Sequence, residues 1–377
     1  MPPAAPPPPA PRPSAPPPAD LLHRARQLPK VLLHEHLDGG LRVATLLDLL
    51  RQRGIASPAP DEDSLAAWFD ARAHAGSLVE YLRGFDLTVA AMATPEALAR
   101  VAREAAEDAI AEGCVLAEFR IAPLLFEAHG VPGDVAVNAL LRGLSQRPLP
   151  AGPAGLIVCA MRHESDDQIA RAADLAIACH QQPRPPGSAQ VVGFDLAGPE
   201  AGGPARRHAA LLARVRAAGL GLTLHAGEAD VGDQVLEAAR LGATRVGHGV
   251  RLADLLDGPA AAATLAAVRG HGLHLEICPT SNLHTGAAAS LALHPIHALW
   301  RAGVSLSFHT DNRLMSRVDH GSEAASLVQA GFGWDELLHM GLDAAAASFL
   351  PPAQREAARA RLLAWAAADG LPLLQRP

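Results

Sequence analysis

Short apolar segments recur along the chain and alternate with longer segments whose apolar residues follow helical spacing. Eight apolar segments are predicted to be β-strands, and six of these are almost continuously hydrophobic, as strands covered on both faces are. The predicted strands are residues 30–36, 114–121, 155–162, 191–196, 221–226, 243–248, 274–279 and 304–310. Helices are predicted between them, for example at residues 95–112, 166–180, 204–218, 231–241 and 259–270.

This alternation indicates βαβ units, whose strands form a parallel sheet. Helix boundary signals agree, because Thr94 and Pro95 form a cap and a first-turn proline, and Gly113 and Gly219 follow helical segments. Eight strands are the number that closes a (β/α)8 barrel. We therefore predict an α/β fold of the TIM-barrel type.

The segment between the first two strands, residues 37–113, is longer than one crossover helix requires. Within it an apolar stripe at positions i, i+3, i+4 and i+7 marks one helical face. The stripe consists of Leu78, Tyr81, Leu82 and Phe85. This face either packs on the barrel or closes over a pocket, so the fold prediction includes a helical insertion, a lid, between strand 1 and strand 2.

The first 19 residues consist almost entirely of Pro and Ala. Proline lacks a backbone donor and interrupts helices, so we expect residues 1–19 to be a disordered tail, with docking on a proline-binding module as the alternative. The segment has neither the basic start nor the apolar stretch of a secretory signal. Residues 20–377 are expected to form one domain.

Cysteine usage, hydropathy and charge restrict location and partners. The four cysteines form no Cys-x-x-Cys pair, so we expect reduced thiols in a cytoplasmic protein. No apolar stretch reaches the ~18 residues of a membrane span, so no membrane partner is expected. The formal net charge of −7 and the low aromatic content disfavour nucleic acid as a partner.

Histidine is frequent, with 18 residues, whereas Lys30 is the single lysine. Imidazole is the commonest metal ligand in proteins. Several histidines and one carboxylate end predicted strands: His34, His36, His225, His248 and Asp311. Because the C-terminal ends of barrel strands carry the active site, these side chains are expected to share one rim.

Three imidazoles and one carboxylate come from His34, His36, His225 and Asp311. This set suits a catalytic zinc ion that keeps a position for water, which it makes available as hydroxide near neutral pH. The alternative is a group of rim histidines satisfied by protein hydrogen bonds. Glu228, on the loop after strand 5, and His248 are placed to act as proton donor and orienting base. Lys30 is badly placed to bridge two metals, so one zinc per chain is expected.

The motifs around these residues resemble those of the adenosine deaminase family of metal-dependent barrel hydrolases. They occur in family order and cover nearly the whole predicted domain, from residue 28 to about residue 349. The matching segments are residues 33–39 (LHEHLDG), 118–123 (EFRIAP), 159–163 (CAMRH), 193–198 (GFDLAG), 224–228 (LHAGE), 245–249 (RVGHG), 276–282 (EICPTSN) and 310–311 (TD).

The resemblance implies zinc-dependent hydrolytic deamination of adenosine and 2′-deoxyadenosine to inosine, 2′-deoxyinosine and ammonia. It implies that the four ligands hold zinc, that zinc hydroxide attacks purine C6, and that Glu228 protonates N1. His248 and Asp311 would orient and deprotonate the attacking water. Protonation of N1 stabilises an intermediate whose ring conjugation the attack has broken.

The resemblance also implies contacts with a purine nucleoside. His36 would lie beside the substrate, Asp38 would bind a ribose hydroxyl, and the Gly198 backbone would meet N3. Where the family often has a second Asp, this chain has Asn312, whose amide can donate to N7 at any pH. His309 stands where Asn is usual. The lid interpretation gains support, because the family closes an apolar helix over the nucleoside.

Two other functions remain open at this point. One is deamination of another 6-aminopurine, such as adenine or a modified adenosine, although Asp38 favours a substrate with a ribose. The other is a catalytically silent barrel that binds purine nucleosides. Intact Glu228 and His248 argue against the silent barrel, since a pure binder needs no proton donor.

Overall fold

The computed structural model describes residues 17–73, 78–200 and 202–372, and it describes side chains in the helix that begins at Leu78 only from residue 84. Within these residues, eight parallel strands lie side by side in sequence order. They are β1 (Lys30–Leu32), β2 (Cys114–Ile121), β3 (Gly155–Met161), β4 (Gln190–Ala197), β5 (Gly221–Ala226), β6 (Arg245–His248), β7 (His274–Ile277) and β8 (Ser305–Phe308). Each predicted strand is present.

The first and last strands meet beyond their C-terminal ends. Asp311 N donates to the His34 carbonyl at 3.0 Å, and His36 N donates to the Asp311 carbonyl at 2.8 Å. Glu35 and Asp311 form a parallel bridge. These hydrogen bonds close the sheet, and the predicted (β/α)8 barrel is confirmed.

Helices surround the barrel. In the part of the chain described here they are α1 (Ala19–Gln27), α2 (Val43–Arg53), α3 (Glu62–Ala73), α4 (Leu78–Met92), α5 (Pro95–Ala111), α6 (Gly133–Ser145), α7 (Asp166–Gln181), α8 (Ala209–Ala217), α9 (Asp233–Arg240), α10 (Ala261–Gly270), α11 (Pro279–His284), α12 (Ile296–Arg301), α13 (Arg313–Ser316), α14 (His320–Gln329), α15 (Trp334–Ala347) and α16 (Pro352–Asp369). The Thr94 hydroxyl accepts from Ala97 N at 3.1 Å, so α5 begins at the predicted cap.

The insertion between β1 and β2 contains α2, α3 and α4. A Cβ built on Gly84 would lie 2.8 Å from Met315 Sδ and 3.0 Å from Phe69 Cε1, so a glycine lets α4 approach α13 and α3 closely. Phe85 packs, partly buried, against the core. The other members of the predicted stripe, Leu78, Tyr81 and Leu82, lie outside the described side chains. The lid therefore stays a prediction.

Charged side chains fill part of the barrel interior. Glu118, Arg120, Asp195, Arg245 and Glu276 are fully buried, and we call them the interior charge network. Arg120 contacts Asp195 at 2.7 Å and Glu276 at 2.5 Å. Arg245 contacts Glu276 and Glu118, each at 2.6 Å. Burial raises the pKa of Glu276, but Arg120 and Arg245 outweigh it and hold that pKa well below its ordinary value.

Lys30 begins β1, at the end of the barrel away from His34. Its ammonium donates to the carbonyls of Ala25 at 2.5 Å and Leu28 at 2.6 Å. Burial lowers its pKa to about 8. Lys30 is therefore engaged by backbone carbonyls at the end of the barrel away from His34.

The four cysteines are free and buried. In the described part of the chain, no helix has the length and apolar character needed to cross a bilayer.

Candidate active site

Four histidines and one aspartate converge at the C-terminal rim of the barrel. His36 Nε2 lies 3.4 Å from His225 Nε2 and 3.5 Å from Asp311 Oδ1. His34 Nε2 lies 3.3 Å from the same Asp311 oxygen. The His248 ring centroid is 5.1 Å from that of His34 and 5.3 Å from that of His225. The structure thus brings together all the residues of the predicted ligand set, with His248 beside them.

His34 is held in one orientation by Glu276 at its far nitrogen. Its Nδ1 donates to Glu276 Oε2 at 2.9 Å. Its Nε2 is buried and has no hydrogen-bond partner in the described chain. A Cβ on Gly247 would come within 2.8 Å of the imidazole, so the ring requires a glycine there. Burial and Arg120 lower the pKa of His34, so the neutral ring presents a lone pair at Nε2.

His225 has an equivalent support in Asp195. The His225 backbone N–H donates to Asp195 Oδ1 at 3.2 Å, and its Nδ1 lies 2.9 Å from Asp195 Oδ2. Burial lowers the pKa of His225, but the Asp195 charge outweighs it and the pKa is raised. A carboxylate on the far nitrogen orients a ligating imidazole and increases its basicity. Asp195 is held in turn by Arg120.

Two site residues have left-handed backbone conformations without being glycine. His248 has a φ of 62° and Asp311 a φ of 58°. Both are supported by α11: Ser281 Oγ donates to Asp311 Oδ2 at 2.7 Å, and the Asn282 amide lies 3.1 Å from His248 Nδ1. Burial raises the pKa of Asp311, but the neighbouring His34 and His248 rings outweigh it and hold the pKa well below its ordinary value. Asp311 is therefore ionised near neutral pH.

The rim cluster has the chemistry of a metal site. His34, His225, His248 and Asp311 each offer one ligand atom, and these atoms lie within 4.8 Å of one another. This group of four includes His248, whereas the ligand set predicted from the sequence includes His36 instead. His36 nevertheless contacts both His225 and Asp311. Imidazole nitrogens, an ionised carboxylate and an unpartnered buried nitrogen fit a divalent metal ion.

Glu228 lies beside this cluster. Its Oε2 is 3.6 Å from His248 Nε2, and its side chain is 20% exposed. Thr285 Oγ1 donates to Glu228 Oε1 at 3.0 Å. The carboxyl is therefore positioned on the open side of the histidines, where a bound molecule can reach it.

The predicted substrate residues lie on neighbouring rim segments. Asp38 is buried in the 3-10 turn Leu37–Gly39, where burial raises its pKa to about 7. Its Oδ1, like Asn312 Oδ1, has no hydrogen-bond partner in the described chain. A Cβ on Gly39 would overlap Asn312 Oδ1, so Gly39 allows Asn312 to lie against this turn. Gly198 directly follows β4 with a φ of 88°, which a glycine adopts without strain.

His309 connects the two strands that close the barrel. Its Nδ1 accepts from Leu33 N at 3.2 Å, and its Nε2 lies 2.7 Å from Ser307 Oγ. Because Nδ1 accepts, the neutral ring donates from Nε2 to Ser307. His309 thus supports the residue before His34 from a position two residues before Asp311.

Sequence reasoning missed the residues that support the histidines and Asp311: Asp195, Glu276, Ser281 and Asn282. One signal was present for the first two, because a carboxylate within an otherwise apolar strand needs a buried partner. The motif around Ser281 and Asn282 was noted, but nothing in it indicated their contacts.

Comparisons with known proteins indicate the family of this chain. The family model described as adenosine deaminase matches residues 29–365. The adenosine deaminase of Mycobacterium tuberculosis is 42% identical over 351 residues, covering 89% of this chain and 94% of the relative. That of Mycobacterium avium is 42% identical over 348 residues, covering 88% and 93%.

Solved structures share the fold. An adenine deaminase from Arthrobacter aurescens has a TM-score of 0.78 at 24% identity and covers 90% of this chain and 99% of its own. An amidohydrolase from Burkholderia ambifaria, solved with bound Zn, has a TM-score of 0.78 at 25% identity and covers 96% and 97%. Together with the family model and the mycobacterial relatives, these likenesses lead to one assignment: the chain belongs to the adenosine deaminase family.

Proposed function

We propose that this chain is a zinc-dependent hydrolase that converts adenosine and 2′-deoxyadenosine to inosine, 2′-deoxyinosine and ammonia. The observation that carries the proposal is the placement of the Glu228 carboxyl beside His248 and the metal-ligand cluster. Deamination of a purine needs both an activated water and an acid for the ring nitrogen, and this rim offers groups for both. The mycobacterial relatives at 42% identity carry the name adenosine deaminase, which supports the same substrate.

One zinc ion per chain would be held by His34, His36, His225 and Asp311. When bound, zinc lowers the pKa of a coordinated water toward ~7 and so supplies a nucleophile at neutral pH. The zinc in the Burkholderia ambifaria amidohydrolase supports this choice of metal. His248 is left outside the ligand set because its Nε2 faces Glu228.

The chain's own residues divide the proton transfers between them. Glu228 donates a proton to purine N1, and His248 together with Asp311 accepts a proton from the attacking water. That proton then passes to the C6 amino group, which leaves as ammonia. For His248 Nε2 to accept, Nδ1 must carry the hydrogen. The Asn282 amide provides for this if it is turned so that Oδ1, which has no partner in the described chain, accepts from Nδ1–H.

The substrate contacts follow from the rim positions. Asp38 binds a ribose hydroxyl, the Gly198 backbone meets N3, Asn312 donates to N7, and His36 lies beside the purine. The second candidate is a deaminase of adenine or another 6-aminopurine. Asp38 argues against adenine, because adenine has no hydroxyl for this carboxyl to bind. The contact therefore favours a nucleoside.

The test is turnover of a panel of 6-aminopurines by the zinc-loaded protein, followed by loss of ultraviolet absorbance and by release of ammonia. We expect adenosine and 2′-deoxyadenosine to have the highest kcat/KM. Glu228→Gln should reduce turnover to a small residual rate and leave the zinc content intact, whereas Glu164→Gln, an exposed carboxyl on the same rim, should change neither. Tight nucleoside binding without turnover would instead identify a silent binder.

Domain organisation and location are part of the proposal. Residues 20–377 act as one domain and residues 1–19 as a tail. A protein that begins at Pro17, and so keeps Pro18 and Ala19 at the start of α1, should keep full activity and stability. Free thiols are typical of the cytoplasm, which we propose as the location. The partner is a small purine nucleoside, with no role for nucleic acid or membrane.

A further inference from the structure

Four residues at the C-terminal end of β5, His225 to Glu228, include both a proposed zinc ligand and the proposed acid. Their backbone turns sharply at Gly227, which has a φ of 65°. The segment that follows β6 holds two of their carbonyls: Gly249 N donates to Ala226 O at 3.1 Å, and Arg251 N donates to Gly227 O at 2.9 Å. The remaining polar groups of this turn need other partners, since buried backbone groups are almost always paired.

Glu200 supplies two of those partners from the segment that follows β4. Its Oε2 accepts from Gly227 N at 2.7 Å, and its Oε1 accepts from Glu228 N at 2.9 Å. Glu200 is 7% exposed. A carboxylate is the side chain that fits two consecutive N–H groups, because both of its oxygens accept.

Arg162 supplies a third partner from the segment that follows β3. Its Nη2 donates to the His225 carbonyl, and its Nη1 donates to the Gly203 carbonyl at 2.6 Å. Gly203 N in turn donates to Glu200 O at 3.1 Å. One guanidinium therefore ties the β5 turn to the segment that carries Glu200.

We propose that Glu200 is a positioning residue that holds the Glu228 carboxyl at the purine nitrogen it protonates, with Arg162 fixing the carbonyl of the zinc ligand His225. The inference rests on the proposed function, because it assigns Glu228 the role of acid. Glu200 has no direct contact with substrate or metal in this role. It acts only through the backbone of residues 227 and 228.

The kinetic test is a double-mutant cycle between Glu200→Gln and Glu228→Gln. Glutamine turns an NH₂ group toward one of the two N–H donors, so the turn shifts while the side-chain volume is kept. We expect Glu200→Gln to lower kcat for adenosine about 10- to 100-fold, with KM changed less than about threefold and zinc content unchanged. In the Glu228→Gln background it should change the residual rate by less than about twofold.

The matched control is Glu237→Gln. Glu237 also accepts from a backbone N–H, that of Arg206 at 3.4 Å, but it lies on α9 outside the β5 turn. This variant should keep wild-type kcat and KM. If Glu200→Gln lowers the rate equally in the wild-type and Glu228→Gln backgrounds, Glu200 does not act through Glu228 and the proposal is wrong.

Hydrogen exchange of the amides of Gly227 and Glu228 separates this proposal from the proposed function. In Glu200→Ala both amides should exchange at least about tenfold faster, with amides of β5 itself unaffected. This result does not depend on which reaction the chain catalyses. Faster exchange with no aminopurine turnover would overturn the reaction and the acid role of Glu228; unchanged exchange would overturn the positioning role of Glu200.

Discussion

Replacing Arg120 with methionine would test whether the interior charge network is held together by its guanidinium groups. Arg120 is fully buried, with Asp195 at 2.7 Å, Glu276 at 2.5 Å and the Leu33 carbonyl at 2.8 Å. Methionine keeps much of the chain length without the charge. Glu276 keeps Arg245 in the variant, but Asp195 loses its guanidinium partner and is left as a buried carboxylate beside His225.

The loss of the Asp195 ion-pair partner sets the expected decrease in the free energy of unfolding. Removing one partner of a buried ion pair costs about 3–5 kcal/mol, against a total stability of about 5–15 kcal/mol for a typical domain. The matched control is Arg171→Met, because the Arg171 side chain is 52% exposed and pairs with Glu127 at 2.9 Å. Such exposed pairs contribute at most about 1 kcal/mol. Adding Asp195→Asn to Arg120→Met should restore at least about 1 kcal/mol, because it removes the uncompensated charge.

The assay is urea unfolding of the chelator-treated proteins, followed by circular dichroism near pH 7 and pH 5. Burial raises the pKa of Asp195, but His225 and Arg120 outweigh it and hold the pKa below its ordinary value. In the wild type this carboxylate therefore stabilises the fold above its unfolded pKa and loses that contribution as the pH falls through the lowered pKa.

Without Arg120 the pKa of Asp195 rises, and proton uptake relieves the buried charge at low pH. The destabilisation should thus be smaller near pH 5 than near pH 7. A loss no larger than that of Arg171→Met, or one that does not depend on pH, would refute the reasoning.

Three further changes have defined outcomes. Burial raises the pKa of Glu323 to about 7, so this carboxyl stabilises the folded state below its unfolded pKa and loses that contribution as the pH rises through 7. From acid to mildly alkaline pH, the free energy of unfolding of Glu323→Gln should therefore rise by up to about 3 kcal/mol relative to the wild type. A difference in urea unfolding that does not depend on pH would contradict this. Gly39→Ala should displace Asn312 and raise KM for adenosine about tenfold in steady-state kinetics, and an unchanged KM would remove Asn312 from the substrate site. Thr94→Ala removes the α5 cap and should lower the free energy of thermal unfolding by about 1 kcal/mol, whereas Thr94→Ser should keep the cap and the wild-type stability.

The positions of the strands were predictable because strands buried on both faces are unusually apolar. β2 and β5 have the predicted bounds. β1 ends at Leu32, although its predicted strand continued to residue 36, because the ladder stops while the chain remains buried at His34 and Glu35. The hydrophobic pattern indicates which residues are buried, but it does not indicate where the interstrand hydrogen bonds end.

The rim histidines were predictable because each follows or ends an apolar strand. Their supports were not, because the pairing of His34 with Glu276 joins β1 to β7 across the barrel interior, and no spacing along the chain encodes that contact. Nor did the sequence indicate that His248 and Asp311 take left-handed backbone angles, since neither is glycine. The family resemblance supplied the role of Asp38 and the purine atom that Glu228 protonates, which the residue pattern alone left open.

The left-handed backbone at His248 and Asp311 has a consequence for engineering. Each such residue costs about 1–2 kcal/mol relative to a glycine in the same conformation. Glycine at either position would relieve that cost and delete a group needed for the chemistry. A library screened for heat resistance alone would therefore tend to accumulate substitutions at these two positions and lose turnover, so thermostable variants of this enzyme should be selected with catalysis measured in the same round.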